Sequence, residues 1–164
     1  MIHVNVRGFI VRKWEKELQV VIQLRKREGE PEVYELPGGR INEFEKITDG
    51  LRREVMEETG LKLTTIYNEA DAIITSGNGT KAYFAVECIK PFAAYQTIQG
   101  PVDSFGIYFI CEAEGELLTK GDDTDHVHWE SIEGIQKIIQ EDRFSEIDMP
   151  AMMMFLRDVG QLNF

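Results

Sequence analysis

Glu54, Glu57 and Glu58 fall at spacings of three and four within "REVMEETG". On a helix, residues so spaced share a face, and each like-charge pair there costs a few tenths of a kcal/mol. Gly50, in the same stretch, costs about 1 kcal/mol relative to alanine in a helix interior. A segment so poor locally calls for compensation: either the face is simply solvated, or a cation sits between the carboxylates. "PGG" at 37–39 favours the second, because its backbone can approach a ligand closely. Hard divalent cations take carboxylate and carbonyl oxygens. The three glutamates and a carbonyl of the glycine loop therefore form a candidate Mg²⁺ or Mn²⁺ site. Mg²⁺ keeps positions for water and substrate phosphate, so the chemistry indicated is hydrolysis of a phosphate ester or anhydride.

These residues need a scaffold. Residues 2–13 and 18–26 read as strands joined by "WEKE", followed by the charged loop "REGEPEVYE". Over 46–59, Ile47, Leu51 and Val55 form an apolar helical stripe that Gly60 terminates. Gly50 is expected to let this helix approach the sheet closely. Residues 62–75 and 80–90 read as strands around the hairpin turn "SGNGT". The stretch 91–105 is a long loop, or a loop with one short element. "GIYFICEAEGELL" is a strand, "GDDTD" a turn, and "HVHWESI" a strand running into a helix near 131–141; "MPAMMMFLRDVG" is a last helix. With no repeat, low-complexity tract or linker, one domain over 1–164 is expected, with helices packed on a mixed sheet.

Composition narrows the partners. The net charge of −11 argues against nonspecific binding to nucleic acid or to an anionic membrane. No stretch approaches the ~20 apolar residues of a membrane span, and the first residues do not read as a signal peptide. Eleven of the 18 Lys and Arg lie in the first 53 residues, whereas twelve acids fall between Glu112 and Asp148. An anionic ligand would thus find most of its cations in the N-terminal third. Cys88 and Cys111 match no metal or redox spacing and read as buried free thiols of a cytoplasmic protein. A small-molecule nucleotide is the expected partner, and a homodimer is compatible with the sequence.

The segment from 39 to 61 resembles the Nudix box of the Nudix hydrolase family. Gly39, Glu45, Arg53, Glu54, Val55, Glu57, Glu58, Gly60 and Leu61 fill every defined position of that pattern. "YELPGG" is similar to the family's lead-in, and "GELLTKGDDTDHVHWESIEGI" to its later strand, acidic turn and Trp-containing strand. Two undefined positions differ: Phe44 and Gly50 stand where glycine and alanine are common. The resemblance implies an α/β fold of the α/β/α sandwich type, with a mixed β-sheet flanked by helices. It implies metal-dependent pyrophosphate hydrolysis with Gly39, Glu54, Glu57 and Glu58 as the metal set. Glu54 either ligates or activates water. Arg53 reads as an orienting ion-pair partner, and Glu45 as that partner or an outer ligand.

Further candidates lie outside the box. Glu35 could add a carboxylate. In this family the general base often sits in a later loop, and Asp123 of "GDDTD" is the first choice against the plain reading of a polar turn. Arg25 and Lys26 end the second strand, where the resemblance brings the chain near the phosphates; strand-end solvation is the alternative. Phe92, Tyr95 and Trp129 are either core rings or stacking surfaces for a nucleobase, and Phe92 and Tyr95 are carried as substrate-binding candidates. His126 and His128, on one strand face without a third ligand, read as structural. The expected substrate is a nucleoside diphosphate linked to another moiety, ADP-ribose or a nucleotide sugar. A house-cleaning nucleoside triphosphate pyrophosphohydrolase and a non-catalytic nucleotide sensor are the alternatives. The intact box argues against the sensor.

Overall fold

The computed structural model describes residues 1–77, 83–121 and 124–161, without side chains at 120, 121, 124 and 125. Two strands head the chain, β1 (His3–Trp14) and β2 (Glu17–Arg25), antiparallel with Trp14 opposite Glu17. Their two-residue turn, Glu15 and Lys16, takes positive φ at both positions (49° and 69°), the turn whose twist matches paired strands. Short β3 (Val33–Glu35) and β4 (Gly38–Arg40) flank the Pro-Gly-Gly turn and pair with β2 and β1 respectively. Helix α1 (Ile47–Thr59) follows, then β5 (Lys62–Ile66), β6 (Ile73–Ser76), β7 (Ala85–Cys88), β8 (Ala93–Gln96), β9 (Ser104–Glu114), β10 (Lys120–Gly121) and β11 (Thr124–Ser131). Helices α2 (Ile132–Gln140) and α3 (Met149–Asp158) follow, and a 3₁₀ turn at Val159–Gln161 ends the described fold.

The main sheet runs β10-β11-β2-β1-β9-β5, with β1 and β9 parallel and the other pairs antiparallel. Both faces of the central strands are covered, as the near-continuous apolar runs of β1 and β2 require. Val6, Ile10 and Val21 pack with Leu51 and Val55 of α1. Phe9, Val11, Val20 and Ile22 pack with Ile135 and Ile138 of α2 and with Met152 and Phe155 of α3. This is the expected helix–sheet–helix sandwich.

Several local expectations are corrected. The strand placed over 62–75 is two strands, because Asn68 turns at φ 74° and a 3₁₀ turn follows at Glu69–Asp71. Glu69 there takes a two-pronged hydrogen bond from Arg52 at 2.6 and 2.7 Å. Between 91 and 105, β8 pairs with β9. Cys111 is buried, but Cys88 is exposed on β7, which pairs with β6 in a separate two-stranded ribbon. Gly50 does not serve packing on the sheet. A Cβ there would lie 2.8 Å from Glu45 Oε1, so this glycine makes room for the carboxylate of the box.

Candidate active site

The Pro-Gly-Gly turn is fixed by β1. Gly38 pairs with Arg7 at φ 147°, a conformation nearly restricted to glycine, and any Cβ on it would fall on the Val6 carbonyl oxygen. Gly39 has no such φ, but its Cβ would strike Glu54 Oε2. The loop backbone and the helix carboxylate are therefore in close approach. The far end of α1 closes on Gly60, at φ 78°, whose N–H reaches the Met56 carbonyl oxygen. Its first turn is capped from a distance: Glu87 of β7 accepts from the Ile47 N–H at 2.7 Å and the Thr48 hydroxyl at 3.1 Å. A carboxylate at a helix N-terminus meets both unsatisfied donors and the helix dipole.

Arg53 gathers the acids. Its Nε and Nη2 donate to the two Glu45 oxygens, each at 2.8 Å, Nη1 donates to Glu54 Oε1 at 2.6 Å, and Nη2 also reaches the Arg40 carbonyl at 2.9 Å. Glu57 lies 3.6 Å from Nη1. Glu45 also accepts the Asn42 N–H at 3.0 Å. The Arg53 hydrogen bonds, then the Asn42 one, hold the Glu45 carboxyl down to about 2. Glu45 is thus an ion-pair partner of Arg53, one of its two expected roles.

Glu58 points the other way, toward the sheet. Gln23 Nε2 donates to its Oε2 at 2.7 Å and the Gly38 N–H donates to the same oxygen at 3.0 Å. Burial pushes the Glu58 carboxyl up to about 7 against the pull of these two donors. Glu35 is buried beside it, 3.4 Å from Arg25 Nη1, 3.5 Å from Gln23 Nε2 and 4.0 Å from Arg7 Nη1. Burial raises its carboxyl too, with Arg7 opposing. Beneath the turn, Arg7 Nη1 donates to the Leu36 carbonyl at 2.8 Å and its Nε lies 3.5 Å from Asp148. Burial would pull this guanidinium down, but Asp148 and then Glu35 outweigh it and keep it charged. Asp148 in turn accepts the Leu36 N–H at 2.9 Å and the Tyr108 hydroxyl at 2.7 Å, tying the start of α3 to the turn.

The other predicted residues divide. Arg25 is engaged with Glu35 at 3.4 Å and Glu30 at 3.8 Å. Lys26 lines an open groove of about 730 Å³ with Tyr34, His128 and Arg143. Phe92 and Tyr95, carried as stacking rings, are instead built into packing. Phe92 stands edge-on to Phe9 at 5.5 Å, and the Tyr95 hydroxyl bonds Asn5 and Ser104 at 3.0 and 2.7 Å. Trp129 packs on the α1 side of the sheet, with the Arg12 guanidinium 4.3 Å from its ring centre. A register shift between Asp125 and His128, with His126 at φ 47°, interrupts the alternation that would set the two histidines on one face. Asp122 and Asp123 lie outside the described residues.

The donor set suits a hard divalent cation: carboxylates along one helix face beside a glycine carbonyl. Among the described residues, however, no three acidic side chains converge on one coordination centre. Arg53 draws Glu54 and Glu57 to one side, while Gln23 and Gly38 hold Glu58 on the other. Unscreened like charges settle on separate cationic or N–H partners.

A mixed sheet between helices, carrying a glycine turn against a glutamate-rich helix that an arginine organises, is the architecture of a phosphoanhydride hydrolase. Residues 1–147 match the family model of the NUDIX domain, and the chain belongs to the Nudix family. With every defined position of the box filled, it is a Nudix pyrophosphohydrolase. No curated protein matches it. Among solved structures it is similar to a candidate asymmetric diadenosine tetraphosphate (Ap4A) hydrolase from Jonesia denitrificans (16% identity, 100% of this chain and 98% of that one, TM-score 0.68). It is also similar to the NUDIX domain of Shewanella oneidensis NrtR in complex with ADP ribose (14% identity, 96% and 88%, TM-score 0.62). A third is a MutT NUDIX hydrolase from Burkholderia pseudomallei (18% identity, 82% and 86%, TM-score 0.57).

Proposed function

We propose that the chain hydrolyses the pyrophosphate bond of a nucleoside diphosphate linked to another moiety, with ADP-ribose or a nucleotide sugar as the substrate class. Glu54, Glu57, Glu58 and the Gly39 carbonyl would hold Mg²⁺ or Mn²⁺, which when bound would supply neutralisation of the pyrophosphate charge. The observation that carries this reading is the Arg53 clamp, which keeps Glu54 against the Gly39 backbone while Glu45 neutralises the arginine. Arg53 is thus an orienting residue rather than a substrate contact. Arg25, 21% exposed and already paired with Glu35, and Lys26 at the groove beside it, stand where a phosphate or the linked moiety would meet positive charge. Glu54 or Asp123 withdraws the proton from the attacking water. That the NrtR domain, alike in fold, was solved with ADP ribose supports the substrate class.

The test is a panel of ADP-ribose, nucleotide sugars, dinucleoside polyphosphates and nucleoside triphosphates, each with Mg²⁺, with Mn²⁺ and with EDTA. The expected products are a nucleoside monophosphate and the phosphorylated second moiety, formed only with metal. Pyrophosphate release from triphosphates alone would shift the assignment to a house-cleaning enzyme. Turnover in excess chelator would overturn the metal site.

A further inference from the structure

Gln23 interrupts the apolar run "VVIQL" of β2 and is fully buried. Burying an amide costs free energy unless its donor and acceptor both find partners. Here one end does. Nε2 donates to Glu58 Oε2 at 2.7 Å and to Glu35 Oε1 at 3.5 Å, whereas Oε1 has no partner among the described residues. Turning the amide round would set its oxygen 2.7 Å from Glu58, a repulsive contact once that carboxyl is ionised, as it must be to bind a cation. The Gln23 and Gly38 donors both fall on Oε2 of Glu58. They leave the orientation of Oε1 determined but its lone pairs uncommitted among the described bonds.

We propose that Gln23 is a positioning residue for the divalent cation: its amide fixes Glu58 in the orientation that coordinates, and its buried carbonyl oxygen accepts a hydrogen bond from the cation's hydration shell. The hydration shell is the natural donor, because Mg²⁺ retains several waters when bound by carboxylates. An amide that a core has no use for is then explained by what it meets when the metal arrives. The proposal rests on Glu58 being a metal ligand, and the experiment separates the two claims.

The experiment measures Mn²⁺ affinity in the full-length chain, by the loss of the free Mn²⁺ electron paramagnetic resonance signal, for wild type, Gln23→Met and Glu58→Gln. Methionine keeps the length and removes both amide ends. Outer-shell partners typically carry 10–100-fold of metal affinity, so Gln23→Met should weaken Mn²⁺ binding by about that factor. At saturating metal its kcat should recover most of the way. Glu58→Gln should weaken binding at least as much. If Glu58→Gln weakens Mn²⁺ binding and folded Gln23→Met stays within twofold of wild type, Gln23 is a core residue and the proposal is wrong. If neither variant loses affinity, the metal assignment of Glu58 falls first. A loss in Gln23→Met alone overturns the route through Glu58. Should Gln23→Met fail to fold, Gln23→Asn, which withdraws the same amide by one methylene, is read by the same criteria.

Discussion

Adjacent glycines of the turn should fail in opposite ways when each is given one methyl group. Gly38→Ala forces a residue with a Cβ into φ 147° and drives that Cβ onto the Val6 carbonyl oxygen of the central strand. Such a conformation costs about 1–3 kcal/mol by itself. The obstruction is backbone within a paired strand, so it cannot turn aside. A total loss of about 3 kcal/mol or more follows, a large share of the ~5–15 kcal/mol that holds a domain together. At this chain length that lowers the melting temperature by roughly 6–12 °C. Gly39→Ala meets only the end of the Glu54 side chain, at an unexceptional φ. A carboxylate can swing away, and the entropy gain of replacing glycine, about 0.4–1 kcal/mol, offsets part of the cost. Stability should stay within about 1 kcal/mol of wild type. Function should not, because the swing breaks the 2.6 Å bond to Arg53 and moves the proposed ligand Glu54 by about 1 Å. A displacement of that size costs on the order of 10²-fold in turnover. Thermal melts in EDTA and kcat/KM in Mg²⁺, measured on both variants, check this. A Gly39→Ala enzyme with wild-type kcat/KM would refute the reasoning, and so would a Gly38→Ala protein that melts like wild type.

Three further outcomes are expected. Glu57→Gln should change metal-free stability by only a few tenths of a kcal/mol, since Glu57 is half exposed and 3.6 Å from Arg53. Its kcat/KM with Mg²⁺ should fall about 10²-fold or more, as for loss of a preorganised electrostatic contact; intact turnover would mark the helix face as merely solvated. Asp123→Asn should lower kcat by roughly 10²-fold with Mn²⁺ affinity unchanged if Asp123 is the general base, and a normal kcat would move that role to Glu54. In EDTA, stability should fall as pH rises from the ordinary carboxylate range to about 7. The folded chain holds a proton on Glu58, raised to about 7, that the unfolded chain has already released, so the stabilisation is complete below the ordinary value and lost through the folded one. Glu58→Gln should remove the larger part of that slope, and melts from pH 4.5 to 8 on both proteins would show a persisting slope if the assignment is wrong.

What the sequence carried was what local rules write. The α1 stripe, its Gly60 stop and the nine box positions were legible because helix periodicity and fixed spacing are short-range facts. The Arg53 clamp was legible as an ion-pair partner because Glu54 and Glu57 lie within one helical turn of it and Glu45 only eight residues before it. The residues behind the site were not read, because their partners are distant. Arg7 meets Asp148, Gln23 meets Glu58, and Glu87 caps a helix that begins forty residues earlier. A signal for two of them was present. Arg7, largely covered, and Gln23, fully buried, each break an apolar central strand, and a polar residue withdrawn from water implies a partner even when the sequence does not say which. Gly50 was misread for the same reason: an alanine-sized gap was assigned to the sheet because the Glu45 side chain cannot be seen from helix periodicity.

The charge balance around the turn ties these pieces together. Arg7, Arg25 and Arg53 pair with Glu30, Glu35, Glu45, Glu54, Glu57 and Asp148, three cations against six carboxylates, while Glu58 has only Gln23 and the Gly38 N–H as hydrogen-bond donors among the described residues. Glu45 is fully matched by Arg53, and its carboxyl is accordingly driven down. Asp148 is matched by Arg7 and the Tyr108 hydroxyl. Burial drives the Glu35 and Glu58 carboxyls up, Glu35 against the pull of Arg7 and Arg25, and Glu58, at about 7, holds a proton well above the ordinary carboxylate range. A divalent cation held by Glu58, as proposed above, would displace that proton, so its uptake should strengthen with rising pH. The like charges of the helix face are thus the visible part of an imbalance that extends into the sheet, and the buried amide of Gln23 lies where the two meet.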